Sequence, residues 1–306
     1  MKKIIILVAV LVAVSCEKVV EFDIKDSDRY VVVNALPCVD STFFANITYS
    51  RFFLDNQAFL PVTDATVTVD VNGVTYSSTG RDGANYLFPF RAASGDTMTL
   101  HVSVPGRDPI VGGTRVPALP AMLPPLAEID TLLPFNTADI TFTLSDPAGD
   151  NYYYIYLTER DSGRQWNQWE ERWDTIDTVV TPYFNCLNFE ITSPEVNSIE
   201  GFMKYYDRLL FTDKLIDKQD YEVKLSLMML KDTAEQPLFK EYSLVVEALS
   251  PEAFQYTKEV LAAQGMGSYF TEPRRIFSNI TGALGIFAGI ARRHYPLTFT
   301  YKEAEE

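Results

Sequence analysis

The chain has 306 residues, room for about two ordinary domains, and its 47% hydrophobic and 22% charged residues mark a globular protein, not a disordered one. A net charge of −15 and a pI near 4.6 exclude a phosphate-tracking nucleic-acid binder, which needs a basic stripe. Two His and three Cys are too few for a multi-cysteine zinc module or a disulfide framework.

The first element is an address. Lys2 and Lys3 precede an unbroken apolar run, Ile4 to Val14. The run is shorter than the roughly 20 residues a bilayer-spanning helix needs, and it fits the apolar region of a secretory signal. It closes on Ala13-Val14-Ser15-Cys16. A small residue directly before Cys resembles a bacterial lipobox, with Ala13 where Leu is usual. That resemblance implies residues 1–15 as a lipoprotein signal peptide, acylation of Cys16 and a tether over 16–26. The alternative is a plain signal peptide with an incidental Cys. Removing Lys2 and Lys3 would leave a still more acidic body, held by acyl chains. Cys38 and Cys186 then remain, either as a disulfide or as two buried thiols.

From Tyr30 onward apolar residues recur at strand spacing: Tyr30 to Leu36, Phe43 to Phe53, and the alternating Thr66 to Val71. Asn72-Gly73 before Val74 to Ser77 predicts a tight hairpin, because both central positions need positive φ. Asn85 to Phe90 and Thr97 to Val104 complete a predicted immunoglobulin-like or transthyretin-like sandwich over 27–116. Pro117, Pro120, Pro124, Pro125 and Pro134 crowd the next stretch, which predicts a stiff connector over 117–137.

A larger antiparallel β-domain is expected over 138–306. Ile140 to Leu144 and Tyr152 to Thr158 flank an Asp146-Pro147 turn, and Leu187 to Ile191, Asp220 to Leu230 and Tyr242 to Leu249 read as further strands. One helix is predicted over 250–263: Ser250 can cap it, Pro251 suits its first turn, and Gly265 stops it. Ile276 to Ile280, Gly285 to Ala291 and Leu297 to Tyr301 are the last strands. The expected fold class is all-β with that one helix.

Chemistry is sparse. His101 sits on a strand facing solvent and His294 beside Arg292 and Arg293, and two isolated His in separate domains give no triad. No nucleophile elbow, zinc-protease or P-loop pattern occurs, and no cofactor is expected. The glycines of Gly282 to Gly289 do not keep the dinucleotide spacing; a turn or close sheet packing explains them better. Asp207, Asp213, Asp217 and Asp220, with Lys214 and Lys218 among them, read as a solvated turn, since calcium needs about six to eight converging oxygens. No metal site is expected.

Trp166, Trp169 and Trp173 are the chain's three Trp. Their spacing puts them on one face if the segment is helical. With Arg164 and Arg172 around them they are the candidate ligand- or partner-binding residues, because Trp and Arg dominate interface hot spots and stack on sugars or peptides. The competing reading is a packed loop burying the indoles.

Three segments carry a family resemblance. Glu272 to Phe287, reading Glu-Pro-Arg-Arg-Ile-Phe-Ser-Asn-Ile-Thr-Gly-Ala-Leu-Gly-Ile-Phe, resembles the closing motif of the Bacteroidota outer-membrane lipoproteins grouped as domain of unknown function 4249. Phe211-Thr212-Asp213 with Asp217 and Tyr221 resembles a second family segment, and Asp146-Pro147 with Asn151-Tyr152-Tyr153 a third. Ala283 departs from the family's second Gly, and the Trp-rich stretch 164–173 has no family counterpart. The resemblance implies a lipid-anchored outer-membrane protein facing the surface or the periplasm. It further implies a non-enzymatic accessory role beside a SusC-like TonB-dependent receptor in nutrient uptake; a glycan or peptide as ligand is what the Trp and Arg cluster, not the resemblance, allows. A surface hydrolase using paired carboxylates and an adhesion or structural module are the competing classes. Asp-Ser/Thr signals resembling the O-glycosylation sequence of Bacteroidota place candidate modification sites at Ser41, Thr97, Thr131, Thr175, Thr178 and Thr233.

Overall fold

The computed structural model describes residues 29–51, 57–130, 136–167, 170–186, 208–229, 239–264 and 276–301. The first strands are β1 (Val31–Ala35), β2 (Thr42–Tyr49), β3 (Thr66–Val71), β4 (Val74–Ser77), β5 (Gly80–Asp82), β6 (Asn85–Arg91), β7 (Thr97–Ser103) and β8 (Ile110–Arg115). Next come β9 (Ala121–Met122), β10 (Leu126–Asp130), β11 (Asn136–Ser145), β12 (Tyr152–Asn167), β13 (Arg172–Val180), β14 (Phe184–Cys186), β15 (Arg208–Thr212), β16 (Asp220–Met229) and β17 (Phe239–Leu249). Helix α1 (Pro251–Gln264) is followed by β18 (Ile280–Thr281), β19 (Leu284–Phe287), β20 (Ile290–Pro296) and β21 (Phe299–Tyr301).

The all-β class with one helix is what the alternation and the capped Ser250-Pro251 start dictate. Ser250 Oγ accepts the Ala253 N–H at 3.2 Å, the bond an N-cap makes. The Asn72-Gly73 turn adopts φ of 51° and 86°, as the predicted hairpin requires.

Four sheets make two sandwiches. In the first, the order β19-β1-β2-β6-β5 faces β18-β8-β7-β3-β4 across a core that includes Val33, Phe43, Ile47, Val69, Leu100 and Ile110. In the second, β14-β16-β11-β10-β21 faces β13-β12-β17-β20, with β15 also on β12, around Ile140, Leu144, Tyr153, Ile155, Phe184 and Leu244. Pairing is antiparallel except for β1 with β19 and β10 with β21.

Two expectations about boundaries change. The stretch expected as a connector holds two strands: β10 lies between β11 and β21, and β9 pairs β11. Pro124 and Pro125 precede β10, so they remove no donor from its ladder. The first sandwich is also not confined to 27–116. Strands β18 and β19, from the closing segment, pair with β8 and β1 and put Ile280 and Phe287 into its core. The strand expected over Ile276 to Ile280 shortens to β18, and the one expected over Gly285 to Ala291 divides between β19 and β20. The predicted strand Leu187 to Ile191 lies outside the described residues.

The glycines of the closing segment explain how the two bodies meet. Gly285 has φ +115°, and a Cβ there would overlap Val33 O and stand 2.7 Å from Val33 C. Gly289 has Arg115 O and Val116 Cα within 2.7 Å of such a Cβ. Asn279 secures the hairpin by donating to Gly113 O (3.0 Å) and Phe287 O (2.7 Å) and accepting from Phe287 N (2.9 Å). A third cluster, with Leu210, Leu249, Ala253, Ile286, Ala288 and Ile290, packs α1 into the junction. Thr114 Oγ1 accepts the Gly289 N–H at 2.8 Å beside Ser250.

Candidate functional site

The long strand β12 is built in two parts. Its first residues alternate Tyr153, Ile155 and Leu157 into the core and are flanked by β17 and β15. Beyond Ser162 it pairs, among the described residues, with β13 alone. The β-branched run in Thr175 to Val180 makes β13 a strand, and Glu170 and Glu171 form the turn, Glu171 at φ 48°. The tryptophan segment is therefore a hairpin arm and not a helical face. Trp166 and Trp173 are directly opposed in its register, and Arg172 is opposite Asn167. The helical spacing of Trp166 and Trp173 is a coincidence of two residues on opposite strands of a hairpin.

Trp173 is 41% exposed, and the Arg164 guanidinium carbon lies 5.7 Å from its ring centroid, within cation–π range. Arg172 pairs with Asp174 at 2.8 Å and with Glu170 at 2.7 Å. Asn167 Nδ2 donates to Asp174 Oδ2 at 2.9 Å. That bond and Arg172 hold the Asp174 carboxyl below the usual carboxylate range. Arg160 grips Asp177 through two parallel bonds of 2.8 and 2.9 Å, which lower Asp177 in the same way. Val179, Val180 and Tyr183 continue the exposed apolar side chains along this edge. The arm thus offers aromatic and aliphatic surface in a rigid frame, with guanidinium and carboxylate groups fixed by one another. Such a surface binds by stacking and bidentate hydrogen bonding.

The side chain of Trp166, all of Trp169, and Cys16, Thr131 and Thr233 lie outside the described residues. Ser41, Thr97, Thr175 and Thr178 are exposed. Cys38 and Cys186 are both free thiols, which removes the disulfide alternative. His101 is exposed with Nε2 3.1 Å from Asp70 Oδ2, and His294 is exposed on β20. The Arg160–Asp177 grip was not foreseen. Its partners are joined only by the hairpin register, which spacing alone does not give.

The acidic turn is also rebuilt. Asp213 is buried, not solvated, and Asp146 joins it, while Asp207 lies outside the described residues. Carboxylate oxygens of Asp146, Asp213 and Asp217 lie within 4.8 Å of one another. Asp146 accepts from the Tyr153 hydroxyl and from Lys218 N (3.1 Å), and Asp213 accepts from Asn151 N (2.8 Å). Burial pushes the Asp146 carboxyl above its ordinary range, against the bonds from Tyr153 and Lys218. The arrangement locks the turns before β12 and after β15 together. Two of the three segments behind the family resemblance, carrying Asp146, Asn151 and Tyr153 on one side and Asp213 on the other, meet in this lock.

Fold and site together define an all-β protein of two interlocked sandwiches with an exposed aromatic–arginine hairpin. The chain belongs to the family described as Domain of unknown function (DUF4249), which it matches over residues 17–295. No curated protein matches it. One similar solved chain is described as "Complete structure of manganese lipoxygenase of Gaeumannomyces graminis and partial structure of zonadhesin of Komagataella pastoris". The likeness has 11% identity and a TM-score of 0.18, over 88% of this chain and 94% of that one, and carries no argument. Among the described residues no helix is long and apolar enough to cross a membrane.

Proposed function

We propose that this protein is a lipid-anchored outer-membrane lipoprotein of Bacteroidota that serves a SusC-like TonB-dependent receptor as a non-enzymatic, substrate-capturing accessory subunit on the cell surface. The observation that carries the reading is the hairpin arm. Trp173, Arg164, Arg160 and the exposed edge of β13 form a contact surface of aromatic, aliphatic and guanidinium groups. Large aromatic and Arg side chains held in place cost little entropy on binding, which suits them to partner or ligand capture. The anchor is supported by the family match, which begins at residue 17, directly after Cys16. The basic, apolar and lipobox residues thus precede the family's body. Two or more acyl chains make such an anchoring stable.

Metabolic labelling with a fatty-acid analogue tests the anchor. Wild type should label and sediment with outer membranes, and Cys16→Ala should lose the label and shift to the soluble fraction. A Cys16→Ala chain that still labels and still sediments would refute it.

A further inference from the structure

The outward face of the first sandwich carries a second surface that differs in chemistry from the hairpin. On β1, β2 and β6, alternate residues Val33, Phe43, Ala45, Ile47, Tyr86 and Phe88 enter the core. Their neighbours therefore face outward. The register brings Asn34 opposite Asn46 and Asn46 opposite Asn85, so three asparagines form one row across three adjacent strands. Neighbouring strands lie about 4.8 Å apart, which makes the row about 10 Å long. In the next outward row Phe44 is opposite Leu87, and the two are 48% and 38% exposed.

Asn46 Nδ2 donates to Asn85 Oδ1 at 2.7 Å. That bond ties the two amides to each other along the row. It leaves the Asn85 amide hydrogens and the Asn46 amide oxygen as donors and acceptor without another partner among the described residues. Asp82, opposite Asn85, continues the row onto β5, and Arg91, opposite Thr42, closes the other end of the face with its guanidinium on Asp40 O.

We propose that this face is a binding platform for a neutral saccharide. Charge selects the ligand class. The chain carries −15 overall, Asp82 ends the row, and the Arg91 guanidinium is held on Asp40 O, so an anionic ligand is repelled at range and meets no free cation among the described residues of the face. A cationic ligand meets Asp82 alone, at one end of the row, while the asparagines and Phe44 offer it no charge. A neutral polyol meets what is present. Fixed amide donors and acceptors match vicinal hydroxyls, and the Phe44 ring offers a flat apolar surface to the C–H face of a sugar ring. The length of the row suits a segment of two linked rings. A protein partner needs about 800 Å² per side, more than Phe44 and Leu87 provide. The platform is separate from the hairpin and goes beyond the proposed receptor role.

The test uses the full chain in detergent, run by native electrophoresis through gels containing a β-glucan, a xylan, a mannan or the polyanion polygalacturonate, with light scattering alongside. At least one neutral polysaccharide should retard wild type, and polygalacturonate should not. Phe44→Ala and, as a second variant at the margin of the face, Asn85→Asp should each weaken that retardation about tenfold with the circular dichroism spectrum unchanged. Leu123→Ala, at an exposed apolar residue before β10 that belongs to neither this face nor the hairpin, should leave it intact. Passage of wild type unretarded through all three neutral gels would overturn the proposal. So would retardation by polygalacturonate alone, variants that bind as wild type does, or a change of oligomeric state in place of sugar binding.

Discussion

Gly285→Ala is the most direct perturbation of the closing segment's place in the first sandwich, where β19 lies on β1. At φ +115° an L-residue is strained by about 1–3 kcal/mol. The new methyl would also overlap Val33 O and press to 2.7 Å of Val33 C and 2.9 Å of Val33 N, main-chain atoms held in the β1–β2 ladder that cannot rotate away. Overpacking of that kind costs about another 1–3 kcal/mol. The two terms give about 2–6 kcal/mol, released only if β19 lifts from β1 and withdraws Phe287, which is fully buried, from the first core. In scanning calorimetry the variant should melt roughly 5–20 °C below wild type, with the first sandwich unfolding ahead of the second. Gly113→Ala is the control, because a Cβ there meets only Met98 O at 3.9 Å, and it should melt with wild type. A Gly285→Ala protein that melts within about 2 °C of wild type would refute the close-approach argument.

The buried lock gives a pH-dependent test. Burial raises the Asp146 carboxyl above its unfolded value near 4, so its contribution to stability is complete below that pH and fades as pH rises through the native value. Urea unfolding across this range should show that decline in wild type and a flatter profile in Asp146→Asn, while equal slopes would refute it. Asp146→Ala should cost about 1–3 kcal/mol, by leaving the buried Tyr153 hydroxyl without its acceptor. Modification is expected at one or more of the exposed Ser41, Thr97, Thr175 and Thr178, and an intact mass equal to peptide plus lipid would reject it.

Much of the fold was legible because its signals are local. Alternation placed β3, β7 and β16, Asn72-Gly73 placed a turn, and Ser250-Pro251 placed the start of α1. What failed depends on residues far apart in the chain. Nothing near Leu284 to Phe287 says that β1 is its partner; only the glycine that lets Val33 approach hints at close packing, and it names no neighbour. Prolines marked a break near Pro124 correctly but could not show that β10 begins at once after it. Residue type marks Arg164, Arg172, Trp166 and Trp173 as candidates, but their spacing does not reveal the hairpin register that holds them. Spacing of three and four residues suits a helix and also suits two strands around a short turn. Only the β-branched run of Thr175 to Val180 favours the second.

What the hairpin holds decides the protein's role most directly. The tagged full chain should be purified from native outer membranes in mild detergent, as wild type and as Trp173→Ala, with thermal melting measured on both. Wild type should bring down an integral outer-membrane transporter of the TonB-dependent kind. Trp173→Ala should lose most of it, since truncating a hot-spot Trp costs about 2 kcal/mol or more of binding, while its melting temperature stays with wild type. A wild-type chain that comes down alone, or a variant that keeps its partner while its melting temperature falls, would contradict the account.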